Sequence, residues 1–262
     1  MLMLFLTGIA SSPLVAADCS KKITIAWSEW APYQFQNDTG EPAGIDIDFI
    51  RAILDQAGCQ YDFRKMPWKR VLVEVKAGSV DLALGASKTA ERETFARFSN
   101  PYRREYMVLF MRHNDIPLRP LSSLNEITRH SSMKIGVLRG SWYGAEFDRL
   151  QKNDAVFQRQ LHLNSDYILL FKWLAIGRMD VVVNDLYNGL SLIRLLAKEQ
   201  VIGVHPLIVN DNYVHFMLSR ASLSQKDLDL INATDAQLRL SGFQQQIFSR
   251  YIPENYSNFF PQ

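Results

Sequence analysis

The stretch from Gly85 to Tyr102 reads GASKTAERETFARFSNPY and follows the apolar run VDLALG. Such a run has the make-up of a strand covered on both faces, yet it leads into a serine, a threonine and an arginine. Polar residues beyond the carboxyl end of a buried strand are suited to receiving an anion. Arg92 carries a planar guanidinium that can grip a carboxylate with two parallel hydrogen bonds and stays charged when water is removed. The competing reading of Arg92 is a surface ion pair with Glu91 or Glu93. A carboxylate stands in the corresponding place after a second apolar run, where Asp185 follows VVVN. It can face a cation beyond the strand, or it can cap the next helix by accepting from that helix's free N–H groups; both readings stay open.

Other chemistries find no residues. His113, His130, His162, His205 and His215 show no H-x-x-x-H or other ligand spacing, so no metal is expected. There is no G-x-S-x-G elbow and no phosphate-binding P-loop, so neither catalytic residues nor cofactors are assigned.

The 262 residues, 47% of them hydrophobic and 21% charged, can bury one large core or two modest ones. The formal net charge of +2 arises from 29 basic and 27 acidic residues spread along the chain. No continuous cationic face is offered, and nucleic acid and anionic lipid are set aside as partners. Residues 1–17, MLMLFLTGIASSPLVAA, carry no charge and contain an apolar stretch of about ten residues, too short to span a bilayer. They read as a signal peptide cleaved near Ala17, with Val15 and Ala17 at the small-residue positions and Asp18 as the mature start. A buried N-terminal helix is the plainer alternative. No Lys or Arg precedes the apolar core, which places the true translation start slightly upstream of Met1. Export puts Cys19 and Cys59 in an oxidising compartment. They stand just before KKITIAW and QYDFRKM, so if these are parallel neighbouring strands the sulfurs begin side by side. A disulfide follows in that case, and two buried thiols otherwise.

Elements able to position these groups follow from periodicity. KKITIAW alternates like a strand, and DIDFIRAILDQAG then places Ile47, Ile50, Ile53, Leu54 and Ala57 at helical spacing before Gly58. QYDFRKM, PWKRVLVEVKAG and DLALGAS repeat the strand, helix, strand order, so a parallel α/β layer is predicted. A second unit of the same design runs through KIGVLRG, SWYGAEFDRLQKN, VFQRQLHLN, SDYILLFKWLAIGRM, DVVVND and LYNGLSLIRLLAKE. YMVLFMRHNDIPLRPLSSL leads from the first unit to the second, and VIGVHPLIVNDNYVHFMLSR leads back. The two C-terminal helices are expected to pack on the first unit. The expected division is lobe 1 from 18–109 plus 207–262 and lobe 2 from 110–206.

In their order and spacing, APYQF, GIDIDFIRAI, VKAGSVDLALGASKTAERETFARFSNPY, KIGVLRGSWYG and GRMDVVVNDLYN resemble the periplasmic solute-binding proteins that serve polar amino acid ABC transporters. The resemblance covers nearly the whole mature chain. It implies two α/β lobes joined by two crossing strands that act as a hinge and close on a ligand in the interlobe cleft. It also implies a monomer that takes a small-molecule amino acid and delivers it to a permease in the inner membrane.

By that resemblance the arginine of the T-x-x-R pattern, Arg92, binds the ligand's α-carboxylate. Ser87 adds a hydroxyl to the same carboxylate, Thr89 shapes the loop, and the Gly85 carbonyl receives the ammonium together with Asp185. Ser141, heading the helix SWYGAEFDRL, is expected to donate from the other side. Trp142 stands where relatives often have glycine and would narrow the pocket. Trp30 and Trp68 match positions whose rings flank the ligand's side chain, whereas Trp27 and Tyr33 fit core packing. Glu29 leans toward a basic ligand and is equally an exposed turn carboxylate; Arg139 leans the other way. Asp46 caps its helix or bridges the lobes. Dehydratases of the same fold carry a catalytic carboxylate where this chain has Asn188, which speaks for a binding protein and against an enzyme. The remaining alternative is a sensory module acting through a separate partner.

Overall fold

A computed structural model describes residues 19–252; the expected signal peptide 1–17 and its cleavage point lie outside the described residues. In β1 (Ile23–Trp27), Ile23, Ile25 and Trp27 enter one buried cluster and Ala26 the opposite one, as a strand covered on both faces requires. A small hairpin of β2 (Phe35–Gln36) and β3 (Pro42–Ala43) leads into α1 (Ile45–Gln56), which buries Ile47, Ile50, Ile53 and Leu54 along one stripe. Next come β4 (Tyr61–Lys65), α2 (Trp68–Ala77), β5 (Leu82–Ser87), the single turn α3 (Ala90–Glu93) and β6 (Ala96–Phe98). The long strand β7 (Arg103–Arg112) then carries the chain into a second unit. That unit consists of α4 (Leu124–Ile127), β8 (Ile135–Leu138), α5 (Ala145–Asn153), α6 (Ala155–Gln160), β9 (Leu161–Asn164), α7 (Tyr167–Ala175), β10 (Val181–Asp185) and α8 (Leu186–Leu195). The 18-residue strand β11 (Ile202–Ser219) returns, and α9 (Gln225–Leu240) and α10 (Phe243–Tyr251) follow.

The strands are ordered β4-β1-β5-β11-β7-β10-β8-β9, with β6 also paired to β11. β1, β4 and β5 run parallel, as do β8, β9 and β10. The antiparallel pair β7 and β11 joins the two parallel groups. The fold is therefore α/β and two-lobed, with two strands crossing between lobes.

Each lobe has helices on both sheet faces. In the first, Ile25, Leu84 and Phe216 pack against Ile50 of α1, Ile231 of α9 and Ile247 of α10. Ala83 and Met217 face Val71 and Val75 of α2 on the other side. In the second, Ile135 and Val183 pack against Phe147 and Phe157, and Phe110 and Val182 against Leu170, Phe171 and Ile193.

Cys19 and Cys59 form a disulfide. The register Ile23 to Tyr61 starts β1 and β4 side by side, the arrangement that brings the sulfurs together. VFQRQLHLN, one segment of the second unit, is divided between α6 and β9. Asp154 accepts from the N–H groups of Val156 and Phe157, so a helix nucleates there before the strand begins. Among the described residues no helix is long and apolar enough to cross a membrane.

Candidate ligand-binding cleft

The carboxyl ends of β5 and β8 open onto a cavity of about 660 Å³ between the lobes. The first lobe contributes Glu29, Trp30, Trp68, Gly85, Ser87 and Arg92 to its wall, and the second contributes Ser141 and Trp142. Most of the remaining wall is apolar, with Met66, Met107, Leu138, Ile168 and Leu192 exposed to the space.

Arg92 is positioned by α3. The Thr89 hydroxyl accepts from the Arg92 N–H and starts the turn. The buried guanidinium donates through Nη1 to the Ser87 carbonyl at 2.8 Å and through Nη2 to the Gly140 carbonyl at 3.1 Å. It lies 5.4 Å from the centre of the Trp68 ring, whose Nε1 donates to the same Gly140 carbonyl at 3.1 Å. Two donors of the first lobe therefore clasp one carbonyl of the second. Burial draws the Arg92 pKa down to about 10, opposed by Glu105 and Glu91, so the group is a cation at neutral pH. A further contact between lobes runs from Asn188 Nδ2 to the Ala31 carbonyl at 2.7 Å.

Gly85 has φ 65° and its N–H donates to the Tyr102 hydroxyl at 2.8 Å. A Cβ there would meet Trp30 at 2.8 Å, Asp46 Oδ2 at 3.1 Å and Arg103 Nη2 at 3.2 Å, so only glycine fits. Beneath it Arg103, the first residue of β7, donates to Asp46 Oδ1 at 2.8 Å through Nε and to Oδ2 at 3.1 Å through Nη2. The guanidinium lies 3.6 Å from the Tyr33 ring centre. Asp46 thus ties α1 to the crossing strand. Trp27 and Tyr33 are core residues, as their packing reading has it.

Asp185 does not line the cavity. It is wholly buried at the end of β10, where Oδ1 accepts from the N–H groups of Tyr187 and Asn188 at 3.0 Å each and Oδ2 from that of Tyr106 at 3.4 Å. Tyr33 adds a side-chain hydrogen bond. Burial pushes its pKa up, while Arg103 and these donors pull the other way. The helix-cap alternative describes these contacts. Ser141 also differs from expectation: α5 begins at Ala145, so Ser141 lies in the turn before the helix and the free N–H groups of the helix end are not at its position. Glu29 is paired with Lys65 at 2.6 Å on the half-exposed rim, and Arg139 is not part of the wall.

Glu105 lines the cavity and was missed in the sequence. It sits on β7, 2% exposed, and its carboxylate accepts from Ser87 Oγ at 3.5 Å. Burial pushes its pKa to about 8; Asp185 adds to the rise, and Arg103 and Arg92 oppose it. A signal was available. At strand period two, Glu105 is in phase with Met107, Leu109 and Met111, and a carboxylate in an apolar row marks a special position. Among the described residues no group of three or more His, Cys, Asp or Glu could hold a metal ion.

Residues 23–254 match the model of the bacterial extracellular solute-binding proteins, family 3. Over 227 residues the chain is 21% identical to a probable histidine-binding protein of Neisseria gonorrhoeae, covering 86% of this chain and 80% of that one. Among solved structures it resembles an ABC uptake transporter substrate-binding protein from Streptococcus pneumoniae with bound histidine. The TM-score is 0.75 at 20% identity, over 89% of this chain and 93% of the other. It also resembles a histidine kinase sensor domain similar to periplasmic binding proteins, with TM-score 0.77, 21% identity, and coverage of 88% and 96%.

Proposed function

The chain belongs to the bacterial extracellular solute-binding proteins of family 3, and on that premise we propose that it captures an amino acid in the periplasm by closing its lobes and passes it, as a monomer, to an ABC permease of the inner membrane. The observation that carries this reading is a buried, charged guanidinium at the wall of an interlobe cavity, beside Ser87, Gly85 and Trp68. A guanidinium has five N–H donors, and the Ser87 and Gly140 carbonyls each engage one, so donors remain for a carboxylate. Ser87, whose hydroxyl faces Glu105 in the ligand-free site, turns its single O–H to the same carboxylate on binding, and the Gly85 carbonyl accepts from the ammonium. Trp30, Trp68 and Trp142, with the apolar wall, favour a ligand whose side chain has aromatic or aliphatic bulk. The relatives named for histidine binding support a ligand of this class.

A dehydratase reading lacks its agent. At the position where such enzymes carry a carboxylate this chain has Asn188, whose amide is engaged with Ala31 and Asn184 and cannot act as a general acid or base near neutral pH. The test is a thermal-shift screen of the proteinogenic amino acids and small carboxylates, followed by calorimetry, since a ligand that binds only the folded state raises Tm. At least one amino acid should bind, and Arg92→Ala should weaken it at least about tenfold. If no amino acid raises Tm, the reading fails.

A further inference from the structure

We propose that Glu105, and not Asp185, is the carboxylate that faces the ammonium group of the bound amino acid. The proposal rests on the amino acid reading above and assigns the other half of the ligand.

An ammonium brought into a closed cavity loses its water and needs an anionic acceptor to replace it. Among the described residues three carboxylates line the space. Glu29 is already paired with Lys65 on the rim. Asp166 caps α7 by accepting from the Ile168 N–H and is exposed. Glu105 alone of these is buried, and among the described residues its hydrogen-bond partner is the Ser87 hydroxyl at 3.5 Å. Asp185 lies behind the wall with both oxygens engaged, so turning it to a ligand would uncap α8.

Placement supports the same assignment. Ser87 bonds Arg92 through its carbonyl and Glu105 through its hydroxyl, so a single residue separates the guanidinium from the carboxylate. A zwitterion whose two charges share one carbon needs its counter-charges that close together.

The groups around Glu105 give the proposal a second signature. It faces Arg92 from α3, Arg103 from its own strand, Asp185 from β10, Asp46 from α1, Ser87 from β5, Tyr143 from the segment before α5 and Tyr167 from α7. Burial holds its pKa at about 8, so at neutral pH the empty site is mostly protonated. An arriving ammonium favours the ionised form, and the carboxyl proton leaves to solvent as the ion pair forms. Affinity for an amino acid therefore rises with pH up to about 8, while a 2-hydroxy acid, which brings only a carboxylate, gains nothing from ionisation of Glu105.

The experiment uses the full chain with L-histidine, L-phenylalanine and L-arginine, each beside its 2-hydroxy acid counterpart, after the amino acid screen has shown which of them binds. Glu105→Gln should weaken the amino acid about tenfold or more and leave the 2-hydroxy acid within about threefold. Asp185→Asn should lower Tm but, where folded, bind the amino acid within about threefold of wild type. Calorimetry of the wild type at pH 7 in phosphate and in Tris should report release of about one proton per ligand bound, and that reading decides the matter if Glu105→Gln does not fold. The proposal is overturned if Glu105→Gln binds the amino acid like wild type, if Asp185→Asn alone loses it, or if no proton is released. Absence of any amino acid binding to the wild type is a different result: it removes the functional reading, and this proposal goes with it.

Discussion

Replacing Asp46 by asparagine keeps the shape of the side chain and removes its charge from beside Arg103. Both side chains are almost wholly inaccessible, at 0% and 1% exposed, and their contact is bidentate at 2.8 and 3.1 Å. The guanidinium cannot turn to solvent, because the rings of Tyr33, Trp30 and Tyr102 enclose it at 3.6, 5.0 and 5.7 Å. An arginine does not neutralise by losing a proton, so the variant must hold in the core a cation that has lost its directly hydrogen-bonded carboxylate, with Asp185 and Glu105 nearby to oppose it. Asp46 Oδ2 also accepts from Gln34 Nε2 at 2.9 Å, and that partner is weakened as well. Breaking one side of such a buried pair costs about 3–5 kcal/mol. For a chain of this length that corresponds to a fall in Tm of about 6–20 °C. Removing both charges, with Asp46→Leu and Arg103→Met together, should recover part of the loss, because no buried cation is then stranded, while Asp185 and Glu105 still lose the opposing charge of Arg103. Urea unfolding of the ligand-free protein, run as a double-mutant cycle, measures the coupling between the two positions. A cost for Asp46→Asn below about 1 kcal/mol, or additive effects in the double variant, would refute the reasoning.

Three further outcomes are expected. The folded Glu105 carboxyl, at about 8, lies above its ordinary value, so the stability it contributes is complete below about pH 4.5 and is lost as pH rises through about 8. The unfolding free energy of the ligand-free protein, measured by urea titration, should therefore fall between pH 5 and 8 by up to about 1.4 kcal/mol per pH unit, and Glu105→Gln should flatten that slope. The disulfide closes a sequence separation of 40 residues, so loss of both thiols through Cys19→Ser with Cys59→Ser should cost about 4 kcal/mol by loop entropy; an unchanged unfolding curve would show that the strands alone hold the segment. Trp68→Phe keeps a ring beside Arg92 but loses the donor to the Gly140 carbonyl, and stopped-flow measurement should find ligand release faster by about two- to tenfold.

Much of the architecture was legible in local pattern. The helical stripe of Ile47, Ile50, Ile53 and Leu54 and the unbroken apolar strands required a parallel α/β layer with both faces covered. Placing Cys19 and Cys59 before neighbouring strands required their sulfurs to begin together, and they are bonded. The loop after β5 was legible for the same reason, since Thr89 begins its own turn and presents Arg92 three residues later.

The choice among carboxylates was not. From the chain alone Asp185 is a charge at a strand end with two possible uses, and Glu105 is one of several charges in NPYRREY. Which of them reaches the cavity depends on donors that arrive from distant segments: the Tyr106 N–H and Tyr33 around Asp185, and Ser87 and Arg92 beside Glu105. The Gly140 carbonyl, held by Arg92 and Trp68, is likewise anonymous in sequence, because every residue has one. Periodicity and turn chemistry act over a few residues and were enough to determine the elements and the strand ends. Hydrogen-bond satisfaction and burial are set by neighbours far along the chain, so only the folded lobes could decide which polar group stays available to a ligand.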